Sequence, residues 1–351
     1  MHITEGIITG KSAIIYTGVG VALMGLGAYR MKEFVSKFPE KKPLLGMGGA
    51  LIFFISLIPI PAFTGTCSHP CGTPLVAILL GPFIGVALAG ISLLLQAALF
   101  AHGGFSTWGA NILALGLFGS LFGWGAFRVA RKLGFPLWAA GFAGGLIGDL
   151  MVYAASGMIL ATTLANGPNP RYSLTAYLAA IYAAYLPTQL PISIGEMLVT
   201  GLALQYVFRQ RPEVLEELGI VHTKKGSQQN DPRTIILLMV LVISFIFTVD
   251  VGLAEQNKQN SIPLTLSSIV AKSNEKGGMS GMDETVNERL AEAAGLSPRD
   301  PYINIEAMGD LWNMLLLLGG GACGFIIGRW WHLLYGKDRK EICSKNQRIS
   351  K

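Results

Sequence analysis

A chain beginning Met1-His2 carries a small nitrogen chelator. The free α-amine and the backbone nitrogen of His2 close a five-membered ring around an ion. That nitrogen and the imidazole Nδ1 close a six-membered one. Three nitrogens then lie near one plane, and a histidine from elsewhere can supply the fourth. His69, in the loop Thr64-Gly65-Thr66-Cys67-Ser68-His69-Pro70-Cys71-Gly72, is the best fourth ligand in the sequence. Tetragonal nitrogen sets suit late first-row metals such as Ni(II), Cu(II) and Co(II). A lone N-terminal dipeptide also arises by chance, so the rest of the chain must bring His2 and His69 to one side.

The elements that would do so are membrane helices. The chain has 351 residues, 51% of them hydrophobic and 14% charged, with a mean hydropathy of +0.49. Soluble domains carry roughly 25% charged residues. Several apolar stretches reach the ~20 residues needed to cross a bilayer. The fold expected is an all-α polytopic membrane protein. The 44 glycines fit helices packed backbone to backbone in lipid. Four cysteines are too few for a disulfide scaffold, and Cys67 and Cys71 could pair, ligate metal or simply fit a tight loop. The net charge of +6 lies in short segments between apolar stretches, without aromatic interleaving, so a lipid bilayer is the expected surface and not nucleic acid.

The basic clusters set a topology. The run Ser12 to Gly27 follows Glu5 and lacks a basic leader, so it reads as a retained first helix (about 11–29) and not a cleaved signal peptide. Bulky His2 should also protect Met1 from removal. Arg30, Lys32, Lys37, Lys41 and Lys42 follow and ask to be cytoplasmic, which leaves the N-terminus outside. A second helix at about 44–61 returns outward and delivers the His69 loop to the N-terminal side. Three crossings follow at about 74–81, 83–101 and 108–127, broken first at Gly81-Pro82 and ending at Arg128, Arg131 and Lys132. His102 then also faces outward. Helices at about 136–160 and 174–207 complete a bundle of about seven. A polar linker, 211–233, leads to two further helices at about 234–252 and 309–335. These flank an external segment, 253–308, in which Asp283 to Ala294 has the pattern of a short capped helix ended by Gly295. The C-terminus is cytoplasmic in this scheme.

Asp149 and Glu196 fall mid-helix, where carboxylates are costly and face a bundle interior or a cavity. They read either as a buried packing pair, with Gln189, or as a step in an ion path; Gln96 is placed equally ambiguously. No nucleotide-binding glycine motif follows a strand, and no H-E-x-x-H occurs. No catalytic residues and no prosthetic group are expected. A membrane-embedded metalloenzyme, a thiol-exchange enzyme using Cys67 and Cys71, and an ATP-independent channel or exchanger through Asp149 and Glu196 are the competing readings.

Four motifs in order, Met1-His2-Ile3-x-Glu5-Gly6, the Thr64–Gly72 loop, Ile78-Leu79-Leu80-Gly81-Pro82, and Ala101-His102-Gly103-Gly104-Phe105-Ser106-Thr107-x-Gly109-Ala110-Asn111, resemble the CbiM/NikM family. Its members are substrate-capture membrane components of energy-coupling-factor transporters for cobalt and nickel. The resemblance covers about 1–210; residues 234–340 are similar in layout to the small accessory subunit of CbiN/NikN type, here fused. It implies metal ligands at Met1 (amine), His2 and His69. Glu5, Ser68, His102 and Asn111 are then candidates to orient those ligands by hydrogen bonding. It also implies a transmembrane coupling subunit (CbiQ/NikQ type) and cytoplasmic ATPases (CbiO/NikO type) as partners. The Cys-Ser-His-Pro form of the loop looks more like the cobalt branch, which supplies cobalamin biosynthesis. Coordination logic alone would suit Ni(II) at least as well.

Overall fold

The computed structural model describes residues 2–58, 60–61, 67–100, 102–167, 172–221, 286–296 and 298–299. Helix α1, Gly10–Lys37, has 28 residues, and α2, Lys42–Ile55, has 14. Two short strands, β1 (Ile60–Pro61) and β2 (Cys67–Ser68), pair antiparallel. Helix α3, Thr73–Leu80, is followed at Gly81 by α4, Pro82–Leu99. Helix α5 runs Trp108–Lys132, with a π-helical segment at Ile112–Phe118. Helices α6 (Leu137–Ala165), α7 (Leu174–Gln210) and the short α8 (Pro212–Glu217) and α9 (Glu288–Ala293) complete the described chain. Helices α1, α4, α5, α6 and α7 are long and apolar enough to cross a membrane, so the chain is an all-α polytopic membrane protein. The expected crossings at 234–252 and 309–335 lie outside the described residues.

Two expected crossings are shorter than a bilayer. Helix α3, with eight residues, is about 12 Å long against a hydrocarbon thickness of ~30 Å. Helix α2 ends at Ile55, where expectation carried it to Pro61. The missing depth is made up by residues 67–72, which dip into the bundle and are buried from Ser68 to Gly72. The apolar run 74–131 hid this, because hydropathy does not distinguish a full crossing from a buried half-helix.

Glycines allow the helices to close on one another. A Cβ at Gly109 would stand 2.3 Å from the Tyr16 backbone, and one at Gly145 would stand 2.7 Å from the Glu196 carbonyl. These approaches join α1 to α5 and α6 to α7. The stretch read as the start of a linker is packed: Leu215 is fully buried with Phe127, Leu137 and Leu204. Helix α9, within the expected capped-helix segment, buries Leu290 and Ala291 against Ile3, Ile7, Ile8, Tyr177 and Tyr185. Arg299 N–H donates to the Glu5 carbonyl at 3.0 Å.

The molecule has two unlike ends. His2, His69 and His102 converge at one. At the other, Arg128, Arg131 and Lys132 line a cleft with Phe34, Phe38 and Gly81.

Candidate metal centre

His2 follows the chain start, and residues 3–8 hold it in place. Asn111, in the first turn of α5, grips Ile3 on both sides. Its Oδ1 accepts from Ile3 N–H at 2.9 Å and its Nδ2 donates to the Ile3 carbonyl at 3.2 Å. The Thr107 hydroxyl donates to the same carbonyl at 2.7 Å. Two residues on, the Glu5 carboxylate accepts from Ser106 N–H at 3.0 Å, and Gly6 N–H donates to Ser106 Oγ at 3.2 Å. Ile3, Ile7 and Ile8 are buried. The N-terminal segment is thus sewn by polar bonds to residues 104–111 and anchored by its isoleucines. Gly103, at φ +81°, would place a Cβ 3.5 Å from His2 Cβ, and a Cβ at Gly104 would stand 2.6 Å from Glu5 Cα. The Gly-Gly pair is what lets this loop lie against the segment.

His69 is positioned from the other side. Its Nδ1–H donates to the Pro70 carbonyl at 3.2 Å, which puts the lone pair on Nε2, the atom that faces His2 and His102. The Tyr153 hydroxyl of α6 donates to the His69 carbonyl at 2.9 Å and lies 3.3 Å from Ser68 Oγ. Gln189 Nε2 of α7 donates to Ser68 Oγ at 3.1 Å.

The three imidazoles meet in the interior. His69 Nε2 stands 3.1 Å from His2 Nδ1 and 3.3 Å from His102 Nε2. His2 is fully buried and His69 nearly so. Burial first, then the close approach of His102 and other positive charge, lowers the His2 pKa well below the usual imidazole range. Burial likewise lowers that of His69, despite the bond to Pro70. Both rings are neutral at physiological pH, the form that binds a metal. A cluster of neutral imidazoles at hydrogen-bond spacing can chelate a transition-metal ion.

Of the residues singled out in the sequence, His2, His69 and His102 are brought together, while Met1 lies outside the described residues. His102 Nε2, 3.3 Å from His69 Nε2, is at a spacing that serves to orient His69 and is also within reach of the same ion. Glu5, Asn111 and Ser68 hold the N-terminal segment and the His69 loop through the bonds given above. Gln96 is a position whose role the sequence left open. Its Nε2 donates to Ser56 Oγ at 2.6 Å and to the Phe53 carbonyl at 3.1 Å, and the side chain lies beside the His2 ring, where neither Gln96 Oε1 nor His2 Nε2 has a hydrogen bond of ordinary length. Only its polarity within an apolar helix could have marked Gln96 in advance.

Residues 2–214 match the family model described as the CbiM cobalt uptake substrate-specific transmembrane region. The chain belongs to the CbiM family. It is 36% identical over 97% of its length to the "Cobalt transport protein CbiM" of Geobacter sulfurreducens, covering 91% of that protein. It is 34% identical over 65% of its length to the protein of the same name from Sorangium cellulosum, covering all of it. A crystal structure described as that of a transition metal transporter superposes with a TM-score of 0.52 at 25% identity, over 60% of this chain and 93% of the other. The family match and the five long apolar helices agree on a multi-pass membrane protein.

Proposed function

We propose that this chain is the metal-capturing membrane component of an energy-coupling-factor importer that takes up Co(II), for cobalamin biosynthesis, with Ni(II) as the alternative cargo. The Met1 amine, the His2 backbone nitrogen, His2 Nδ1 and His69 Nε2 form the donor set. ATP hydrolysis belongs to partner ATPases acting through a transmembrane coupling subunit, and the chain itself is not an enzyme. The histidine end faces outward and the Arg128–Lys132 end faces the cytoplasm.

The observation that carries this reading is the spacing of His2 Nδ1 and His69 Nε2, 3.1 Å apart, with His69 turned by its bond to the Pro70 carbonyl. With metal–nitrogen bonds of ~2.0 Å, neighbouring nitrogens of a square plane stand about 2.8 Å apart. In that plane His2 Nδ1 and the incoming imidazole are neighbours. A small contraction around an ion brings the pair to that value. The names of the CbiM relatives favour cobalt.

A second reading replaces the amine by His102, giving a three-imidazole site. The 3.3 Å approach of His102 Nε2 to His69 Nε2 favours it. Cellular cobalt accumulation separates these readings and tests the transport role. His2→Ala and His69→Ala should abolish it, and so should omission of the ATPase partners. An additional residue before Met1 should abolish it if the amine is a ligand and spare it if three imidazoles suffice. Accumulation without ATPase partners would favour a channel or exchanger and overturn the proposal.

A further inference from the structure

Directly along the chain from His69 lies a second cluster of ligand atoms. The Cys71 thiol, an Asp149 oxygen and a Glu196 oxygen all fall within 4.8 Å of one another, and all three residues are buried. Cys71 is a free cysteine. Glu196 Oε2 accepts from Gly72 N–H at 3.2 Å, and Asp149 Oδ2 accepts from Ser193 Oγ at 2.6 Å. The ion pairs among the described residues, Arg30–Glu33, Lys41–Glu217 and Arg211–Glu213, involve neither carboxylate. Among the described residues, no basic side chain pairs with these two acids in the apolar interior.

One observation marks the cluster as more than a packed polar pair. Asp149 is 0% exposed, yet its Oδ1 has no hydrogen-bond partner. The Thr73 hydroxyl, at the start of α3, lies beside the Cys71 thiol. An orphaned buried acceptor is costly, more so when it is charged. A cation would satisfy the Asp149 oxygen.

The cluster also sits on a route. Gln189, Ser193, Glu196 and Thr200 fall on one face of α7 at helical spacing, all buried. Gln189 bonds to Ser68 beside the histidine site, Ser193 to Asp149, and Thr200 Oγ1 donates to Glu196 Oε1 at 3.5 Å. At 1.5 Å per residue the stripe from Gln189 to Thr200 spans about 16 Å, roughly half the ~30 Å hydrocarbon layer. The stripe leads from the three histidines into the bundle.

We propose that Cys71, Asp149 and Glu196 form an inner divalent-cation site that receives the metal after the histidine centre releases it. The charge arithmetic is favourable where it matters most. Neutral imidazoles leave most of a divalent charge uncompensated, whereas two carboxylates balance it deeper in the membrane. Cys71 adds a soft sulfur ligand suited to Co(II) or Zn(II); binding as thiolate releases the thiol proton to water. His69 and Cys71 belong to one loop, so a movement that opens the outer site also moves the inner one. The inference rests on the proposed capture role for its order of events, but the inner site can be tested by itself.

The full-length, untagged protein in lipid nanodiscs is titrated with Co(II) and read by metal stoichiometry and absorption. The expected result is one equivalent beyond the histidine site, accompanied by a near-ultraviolet sulfur-to-Co(II) charge-transfer band. Cys71→Ser should remove the band. Asp149→Asn and Glu196→Gln should each lower inner-site affinity at least tenfold, with the histidine-bound equivalent retained. These substitutions nearly conserve volume, and the retained outer equivalent reports that the variant is folded. His2→Ala should abolish the outer equivalent and leave the band; if it leaves both equivalents intact, the capture reading fails while the inner site stands. Absence of the second equivalent and of the band in the unmodified protein would overturn the inner site and leave a structural acid pair.

Discussion

Replacing Asn111 with alanine tests whether the fold-back of the N-terminal segment is what makes the metal site. The change removes an acceptor for Ile3 N–H at 2.9 Å and a donor to the Ile3 carbonyl at 3.2 Å. The carbonyl keeps the Thr107 hydroxyl at 2.7 Å, so the net defect is one buried N–H without a partner. That defect costs about 1–3 kcal/mol. It falls on the folded-back state alone, because a released segment hydrates its amides. At 1.36 kcal/mol per tenfold, apparent cobalt affinity should weaken by about 5- to 150-fold. The larger figure is reached only if the substitution leaves the folded-back state a minority, since a surplus of stability would absorb part of the penalty. Calorimetric titration of the untagged protein with Co(II) measures the shift. Asn111→Asp keeps an acceptor for Ile3 N–H but turns a buried carboxylate oxygen toward the Ile3 carbonyl, so it should weaken binding at least as much as alanine. Unchanged affinity in both variants, with melting temperatures also unchanged, would refute the coupling between this clamp and the metal.

Other perturbations give distinct outcomes. Gly104→Ala drives a methyl group to 2.6 Å from Glu5 Cα and should weaken cobalt binding at least tenfold, whereas Gly25→Ala, with open space around it, should not; calorimetry compares the pair. Gly201→Ala places a methyl group 2.0 Å from the Phe142 ring between α6 and α7, and overpacking of this kind costs about 1–3 kcal/mol. Its melting temperature should fall by several degrees while cobalt stoichiometry is kept. His2 and His69 have folded pKa values lowered well below 6.5, so the metal-free protein is most stable above 6.5. Stability is then lost as pH falls through 6.5 toward those lowered values, by up to roughly 2.7 kcal/mol per pH unit for two protons. A melting temperature that stays flat from pH 7.5 to 5.5 would contradict the neutral, buried pair.

Much of the architecture was legible because the bilayer imposes simple rules. Basic residues such as Arg30, Lys41 and Arg131 marked one end, and counting crossings placed His2, His69 and His102 together at the other. The depth of the His69 loop was not legible. Residues 74–80 are as apolar as any crossing, and only the helix's eight-residue length reveals that the chain enters the bundle before it starts. The site residues show the same division. Ligand chemistry picked out His2 and His69 by type and spacing. The roles of Asn111, Glu5 and Ser68 depend on which backbone groups face them, and composition carries no such information. The grouping of Cys71 with Asp149 and Glu196 depends on the relative rotation of α6 and α7, which close contacts at glycines such as Gly145 and Gly201 determine.

X-ray absorption at the metal edge of untagged protein, loaded with one equivalent of Co(II) or Ni(II), tests the proposed donor set most directly. The predicted spectrum has four nitrogens near one plane and multiple scattering from two imidazoles, His2 and His69. It should change when the N-terminal amine is acetylated, as confirmed by intact-mass measurement. A three-imidazole spectrum, or one indifferent to acetylation, would contradict the chelating N-terminus.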